Sequence, residues 1–140
     1  MITLDQVSKT YTTDRVQTLA LKDISLHVGK GEFICIMGPS GCGKSTLLNL
    51  IGLLDRPGSG SVKVDGIELK SYRDKDVAPL RNRSFGFIFQ SFHLINDLRV
   101  IDNVELPLLY RSMTAAERRR LAREALERVG LAARMDHYPN

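Results

Sequence analysis

The sequence predicts an α/β fold in which antiparallel strands come first, a strand–loop–helix unit follows, and helices end the chain. Three observations support this order. Apolar and polar residues alternate over residues 24–28, as in a half-exposed strand. The apolar run 33–37 precedes a glycine-rich loop and a helical stretch, which is typical of a parallel strand buried on both faces. Thr114-Ala115-Ala116-Glu117 is a capping box that opens a helix near the end.

Each remaining element has a local signal. Residues 2–7 predict a short strand, and residues 11–18 are polar and turn-like. Asp65-Gly66 predicts a tight hairpin, because apolar residues alternate on both sides of it, Val62 and Val64 before and Ile67 and Leu69 after. Farther along the chain we expect a helix from the glycine-rich loop to about Leu54, a short helix over 74–83 and an apolar strand over 85–89. A last helix is expected over 114–129, with Leu121, Ala125 and Val129 on one face and Gly130 as its C-cap.

Composition sets the broad class. The 140 residues are 43% apolar and 26% charged, which is ordinary for a globular protein. No apolar run approaches the length of a membrane span, and the N-terminus lacks a signal-peptide pattern, so a cytoplasmic location is expected. The two cysteines are expected to be free thiols, Cys35 within the buried strand and Cys42 in the loop. The three histidines lack metal-ligand spacing (His27, His93 and His137).

The net charge of +4 includes one sharp basic run, Arg118-Arg119-Arg120. Glutamates lie among these arginines, a mixture typical of a solvated helix face. A nucleic-acid surface would carry positive charges without acidic residues among them and would be interleaved with aromatic residues, so no nucleic-acid partner is expected.

Residues 38–46 fit the phosphate-loop pattern G-x-x-x-x-G-K-[ST] in the strand, loop and helix context that the pattern requires. Glycine lets the backbone approach phosphate oxygens, and the loop amides with the helix N-terminus form an anion site. We predict a phosphate-loop (RecA-like) NTPase core that binds a nucleoside triphosphate with Mg²⁺. The alternative without a binding function is a glycine-rich turn with a solvated lysine. The predicted nucleotide contacts are Gly38, Pro39, Ser40, Gly41, Cys42, Gly43, Lys44, Ser45 and Thr46, with Lys44 on the β- and γ-phosphates and Ser45 on the metal.

Four segments narrow the family: "SKTY" ending at Tyr11, "LKDISLHVGKGEFICIMGPSGCGKSTLLNLIGLLDRPGSGSVKVDG", "FGFIFQSFHLI" and "DNVELPLLY". With them the chain resembles, over its whole length, the N-terminal part of the nucleotide-binding domain of an ATP-binding cassette (ABC) transporter. It is most similar to the branch that drives lipoprotein release and macrolide export. The resemblance implies an N-terminal antiparallel β subdomain, the phosphate-loop core and the start of a helical subdomain, together an incomplete α/β domain.

The resemblance also assigns residues. Tyr11 matches the aromatic side chain that stacks on adenine, and Val16 completes that wall. Gln90 matches the glutamine that reaches Mg²⁺ and the attacking water, so Lys44 and Gln90 are the catalytic candidates, and Ser45 and Gln90 are the metal ligands. Taken alone, Tyr11 would be an ordinary exposed tyrosine and Gln90 a polar strand end.

The resemblance divides the chain into residues 1–90, the β subdomain with the phosphate-loop unit, and residues 91–140, the glutamine loop and helical subdomain. Transmembrane permease subunits are expected to contact residues 91–110 and to hold the protein at the inner face of the cell membrane. The apolar side chains there fit a partner groove or an ordinary core equally well (Phe92, Leu94, Ile95 and Leu98).

In the resembled family the signature sequence, the acidic strand, the catalytic glutamate and the switch histidine all follow the point that Asn140 matches. ATP and Mg²⁺ binding with negligible turnover is therefore expected of these residues, and ATPase activity of the full-length protein. The strands that separate 33–37 from 85–89 in the family come later still. Both segments should then expose apolar edges, which self-association, repacking or a C-terminal piece would cover.

Other function classes stay open at this point. A kinase or GTPase is disfavoured by the Tyr11 and Gln90 segments and by the lack of an N-K-x-D motif. A soluble cassette protein acting on DNA or ribosomes, or a non-hydrolysing regulatory module, would share the phosphate loop.

Overall fold

The computed structural model describes residues 1–69 and 72–140, which form two compact units, residues 1–81 and residues 82–140. In the first unit, β1 (Ile2–Thr12), β2 (Gln17–Val28), β3 (Ser59–Val64) and β4 (Ile67–Glu68) form an antiparallel sheet in the order β2-β1-β3-β4. β1 pairs on both sides, and its apolar residues Leu4 and Val7 are buried. Their neighbours in this core are Leu21, Leu50, Leu53, Val62, Val64 and Val77.

The first hairpin is longer than the sequence indicates. Thr12 pairs with Gln17, so the turn holds only residues 13–16, and the amide of Thr13 donates to the carbonyl of Val16 at 2.9 Å. The prediction of a turn over 11–18 is wrong at both ends, because the ladder continues through polar residues whose side chains face solvent. The second hairpin is confirmed: Asp65 and Gly66 have φ values of 49° and 78°, as a type I′ turn requires.

The predicted buried strand over residues 33–37 is not a strand, and its side chains are not buried. Phe33 is 94% exposed, and Met37 and Cys35 are exposed too. A strand of a parallel sheet exists only when neighbours accept its backbone hydrogen bonds. Within residues 1–69 and 72–140, no strand pairs with this segment. Apolar side chains are exposed here, as the resemblance leads one to expect, but they belong to an unpaired segment and not to the edge of a strand.

Two helices complete the first unit. α1 spans Lys44–Ile51, ending earlier than predicted, and α2 spans Asp74–Ser84, which confirms the predicted short helix. α2 crosses the division between the units and contains Pro79.

The predicted strand over residues 85–89, in the second unit, is likewise unpaired among the described residues. The rings of Phe85 and Phe87, and of Phe87 and Phe89, stack with centroids 6.1 and 5.4 Å apart. Ile88 between them is fully exposed. The segment is therefore extended, with alternate side chains on one side.

The second unit is helical: α3 (Val100–Glu105), a 3₁₀ turn (Leu106–Tyr110), α4 (Ala115–Arg128) and a second 3₁₀ turn (Ala132–Arg134). The capping box is confirmed, since the amide of Glu117 donates to Thr114 Oγ1 at 3.2 Å and the amide of Thr114 donates to the Glu117 carboxylate at 2.8 Å. The buried face predicted for this helix, Leu121, Ala125 and Val129, is wrong by one residue, because Ala122 and Leu126 pack against Ile101 instead.

The basic run of α4 is largely neutralised by acidic partners. Arg118 pairs with Glu105 at 3.1 Å, Arg119 with Asp102 at 2.6 Å, and Arg120 with Glu124 of its own helix at 2.6 Å. Hydrogen bonds from Arg99 and Arg119 hold the pKa of Asp102 below its ordinary value. The run therefore joins α4 to α3. No helix in the described part of the chain is long and apolar enough to cross a membrane.

Candidate functional site

The phosphate loop, residues 38–46, turns sharply before α1 begins at Lys44. Gly41 and Gly43 have φ values of 80° and 94°, a region that side chains with a Cβ rarely adopt. The first helical hydrogen bond runs from the amide of Leu47 to the carbonyl of Gly43 at 2.9 Å. The amides before Leu47 therefore point out of the helix end.

These amides are open to a ligand. Among the described residues, nothing accepts a hydrogen bond from the N–H of Gly43, Lys44, Ser45 or Thr46, and no side chain caps α1. Successive unpaired N–H groups at the positive end of a helix form an anion site, suited above all to phosphate. The described backbone is thus arranged for a phosphate group.

The Lys44 ammonium lies against the loop. Its Nζ donates to the carbonyl oxygens of Gly38 at 2.8 Å and Pro39 at 2.6 Å, and lies 3.7 Å from Cys42 Sγ. All three ammonium donors thus have an acceptor here, and the thiol sulfur is the weakest of the three, so an anion can replace it most easily. These contacts hold the positive charge at the loop.

The sheet positions the loop through Gly43. A Cβ built on Gly43 would lie 2.5 Å from the Ala20 carbonyl oxygen and 3.1 Å from Leu21 Cδ2. Lys9 pairs with Leu21 whereas Thr10 pairs with Leu19, so Ala20 is the extra residue of a β-bulge. Bulges redirect the backbone locally. We conclude that β2 and the phosphate loop are in direct contact at a position that only glycine can occupy.

The residues present fit a Mg²⁺–nucleotide. Ser45 is exposed on the first turn of α1, and its hydroxyl has no hydrogen-bond partner among the described residues; Thr46 beside it is half-buried. No group of three or more His, Cys, Asp or Glu side chains suited to a metal occurs in the described ranges. Mg²⁺ that arrives with phosphates keeps several waters and needs only one or two protein ligands, so a single hydroxyl is compatible with it.

Tyr11 and Val16 lie at the turn end of the β1–β2 hairpin. Tyr11 is 40% exposed, and Val16 is exposed. Tyr11 pairs with Thr18, two residues before Ala20, a distance of about 7 Å along β2. The first unit therefore places the Tyr11 end of the hairpin close to the phosphate loop.

Sequence reasoning missed two residues that contact Tyr11. The Tyr11 hydroxyl donates to Asp55 Oδ2 at 2.9 Å, and Lys9 Nζ lies 5.0 Å from the centroid of the Tyr11 ring. Lys9 Nζ also donates to Asp55 Oδ1 at 2.7 Å. We call Lys9, Tyr11 and Asp55 the tyrosine cluster. The two-residue spacing of Lys9 and Tyr11 could have suggested a shared face; no local signal points to Asp55.

Asp55 is held as a carboxylate. Burial alone would raise its pKa, but hydrogen bonds from Lys9, the Arg56 amide and Tyr11 lower it below the ordinary value of 3.8. The side chain of Lys9 is only 11% exposed and that of Asp55 26%, so this ion pair is partly removed from water.

Gln90 is exposed and follows the extended segment 85–89 in the second unit, whereas the phosphate loop and the tyrosine cluster belong to the first. Farther along the second unit, Phe92 is 89% exposed, Leu94 and Ile95 are exposed, and Leu98 is half-buried. Asn103 fixes this loop, accepting from the Ile95 amide at 2.8 Å and donating to the Ile95 carbonyl at 3.0 Å.

Known proteins share this sequence and backbone. The chain is 49% identical over all of its 140 residues to the ABC transporter ATP-binding protein YknY of Bacillus subtilis, covering 61% of that protein. It is 45% identical over 135 residues to the lipoprotein-releasing system ATP-binding protein LolD of Bordetella pertussis, covering 96% of this chain and 58% of that one. The chain thus spans about three fifths of the length of these relatives.

Among solved structures, the dimeric post-hydrolysis ATP-binding cassette MJ0796 bound to ADP and Pi matches with a TM-score of 0.88 and 42% identity. That match covers 100% of this chain and 62% of the solved one, so the fold is part of an ABC cassette. The sequence profile of the ABC transporter family matches residues 21–139. The chain therefore belongs to the ABC transporter family.

Proposed function

We propose that this chain is the ATP-binding part of an ABC transporter subunit and that it binds ATP with Mg²⁺. In the whole protein, ATP hydrolysis would energise transport by membrane subunits. The observation that carries the proposal is the phosphate loop, where open amides at the start of α1 converge with the Lys44 ammonium.

The phosphates would lie against the amides of residues 43–46, with Lys44 neutralising charge on the β- and γ-phosphates. The remaining loop residues would complete the cradle (Gly38, Pro39, Ser40, Gly41 and Cys42). Lys44 would have to exchange at least part of its bonding to Gly38 and Pro39 for phosphate oxygens. A charge-assisted hydrogen bond to phosphate is stronger than one to a neutral carbonyl, which favours that exchange.

The base would stack on Tyr11, with Val16 beside it, because both side chains are exposed at the hairpin end nearest the loop. The Ser45 hydroxyl would ligate Mg²⁺. We assign Gln90 as the second ligand and as the group that orients the attacking water on the family resemblance alone. When bound, Mg²⁺ would neutralise phosphate charge and orient the triphosphate.

Residues 91–110 are the proposed contact with the permease subunits, at the cytoplasmic face of the membrane. Three exposed apolar side chains support this: Phe92, Leu94 and Ile95.

Self-association is proposed as well, since Phe33, Met37 and Ile88 expose apolar surface that a second copy can cover. Light scattering that finds only monomer at micromolar concentration would contradict self-association. Pairing of the basic run on α4 with carboxylates leaves little free charge for nucleic acid.

Calorimetric titration with ATP and Mg²⁺ tests the function directly. We expect one saturable site in the wild-type chain and at least a 10-fold weaker one in Lys44→Ala, since a hydrogen bond to a charged group contributes about 1.5–3 kcal/mol. Lys63→Ala is the control, because Lys63 pairs with Glu68 away from the loop. No binding by the wild type, or equal binding by Lys44→Ala, would overturn the proposal.

A further inference from the structure

We propose that Asp55 is a positioning residue for the nucleotide base: its carboxylate holds the Tyr11 ring in place, while Lys9 covers one face of that ring and leaves the other for the base. The inference rests on the proposed ATP binding and deepens it, because it names what controls the base-stacking surface.

The geometry of the tyrosine cluster fixes the ring at three points. Tyr11 is anchored at its backbone by pairing with Thr18, at its hydroxyl by Asp55 Oδ2, and on one face by the Lys9 ammonium. A tyrosine whose hydroxyl is bonded cannot swing freely about its side-chain torsions. A base that stacks on it then loses less conformational entropy than one that must first order the ring.

Lys9 and Asp55 use separate atoms for separate tasks. Asp55 Oδ1 accepts from Lys9 Nζ and from the Arg56 amide, both at 2.7 Å, so Oδ2 is left for the tyrosine hydroxyl. Lys9 Nζ further donates to the Arg56 carbonyl at 2.7 Å. The ammonium is therefore fixed, and because it is attracted to the ring face, a base has only the opposite face to stack on.

The loop that carries Asp55 is tied to the helix that begins at the phosphate loop. The Leu54 amide donates to the carbonyl of Asn49 in α1 at 2.8 Å, Arg81 donates to the Leu53 carbonyl at 2.8 Å, and the Gly58 amide donates to the Ser8 carbonyl of β1 at 2.8 Å. Asp55 thus joins Tyr11 to the end of α1. α1 and the Asp55 carboxylate therefore connect the phosphate loop to the stacking ring.

Comparing the affinities of two ligands distinguishes positioning of the Tyr11 ring by Asp55 from a general contribution of Asp55 to stability. ATP uses both the phosphate loop and the ring, whereas inorganic tripolyphosphate uses the loop alone. With Mg²⁺ present, we expect Asp55→Ala to bind ATP about 2- to 10-fold more weakly, the range that one lost hydrogen bond gives, and to bind tripolyphosphate as the wild type does. Tyr11→Phe keeps the ring and removes only the hydroxyl, so it should shift ATP affinity in the same direction.

The double variant Tyr11→Phe/Asp55→Ala should be no weaker than Asp55→Ala, because both changes break one contact. Asp136→Asn is the matched control, since Asp136 pairs with Arg99 in the second unit and contacts no member of the cluster. Urea unfolding of each variant shows whether it is folded, and Tyr11→Phe keeps the test valid if Asp55→Ala is not.

The outcomes are distinct. Lower ATP affinity with unchanged tripolyphosphate affinity supports the inference. Unchanged ATP affinity in both Asp55→Ala and Tyr11→Phe, or an equal loss for both ligands, overturns it while ATP binding itself stands. An additive double variant also overturns it. Failure of the wild type to bind ATP would overturn the proposed function and this inference together.

Discussion

The phosphate loop and the tyrosine cluster lie in the same compact unit, yet they are built in opposite ways. The phosphate loop comes from one continuous segment, residues 38–46, whose shape is set by glycine backbone angles and the start of α1. The tyrosine cluster joins residues that are 44 apart in sequence, such as Tyr11 and Asp55, through side-chain bonds.

The difference extends to their surroundings. β1 pairs with β2 at Lys9 and Tyr11 and with β3 over residues 2–8, whereas residues 33–37, which enter the phosphate loop, are unpaired among the described residues. A locally encoded site thus keeps its shape although the segment leading to it has no sheet partners. A site built from distant residues depends on the sheet being formed.

The largest difference between the two regions is expected in the rate of amide hydrogen exchange. Amides of residues 33–37 should exchange at least about 100-fold faster than those of residues 9–11 and 19–21, an opening free energy difference of about 2.7 kcal/mol or more. Mass spectrometry on dilute protein would measure it. Equal protection in the two regions would show that residues 33–37 are paired in solution.

Gly43→Ala should have the next largest effect, because it breaks the contact between β2 and the phosphate loop. The added Cβ meets the Ala20 carbonyl at 2.5 Å and sits at a φ of 94°. We expect about 2–5 kcal/mol of destabilisation, the sum of backbone strain and overpacking. Gly41→Ala is the control: its φ is 80° but nothing lies within 4 Å of the new Cβ, so about 1–2 kcal/mol is expected. Similar unfolding free energies for both variants would contradict the contact.

Tyr11→Ala addresses the other end of the comparison. Loss of a stacking ring should lower ATP affinity by about 1–3 kcal/mol, or about 5- to 150-fold, and leave tripolyphosphate affinity unchanged. Tyr110→Ala, which removes an exposed tyrosine of the second unit, should change neither affinity. An ATP affinity in Tyr11→Ala equal to that of the wild type would remove Tyr11 from the site.

The smallest expected effect is a pH dependence of the Lys9–Asp55 pair. The folded state lowers the pKa of Asp55 below 3.8, so the pair stabilises the fold above that pH and loses its contribution as the pH falls through the folded value. Because the pair is partly exposed, we expect less than about 1 kcal/mol. In urea unfolding, Asp55→Asn should be less stable than the wild type at pH 6, and the gap should narrow at pH 3. A gap that is constant or widens on acidification would contradict the assignment.

Sequence reasoning succeeded where structure is local. The glycine turn that opens α1, the Asp65-Gly66 hairpin and the Thr114 capping box each depend on a few adjacent residues, and the structure has all three. It failed for Asp55, whose contact with Tyr11 depends on a loop that Asn49, Arg81 and Ser8 bring beside β1. Such contacts leave no mark on the local sequence.

The segments 33–37 and 85–89 show the converse error. Their apolar composition is that of buried strands, but composition sets only a preference, and sheet partners decide whether a strand forms. Phe33 and Ile88 are exposed for that reason. In α4, the buried face is shifted from Leu121 and Ala125 to Ala122 and Leu126, because the position of α3 selects the face that packs.

One titration tests the central claim that a phosphate-binding loop and a base-binding ring act as one site. The wild-type chain is titrated with ATP and with tripolyphosphate, each with Mg²⁺, in the calorimeter. We predict that both ligands bind at one competing site and that ATP binds about 5- to 150-fold more tightly, the contribution of one stacked base. Equal affinities for the two ligands, or binding of neither, would contradict the account.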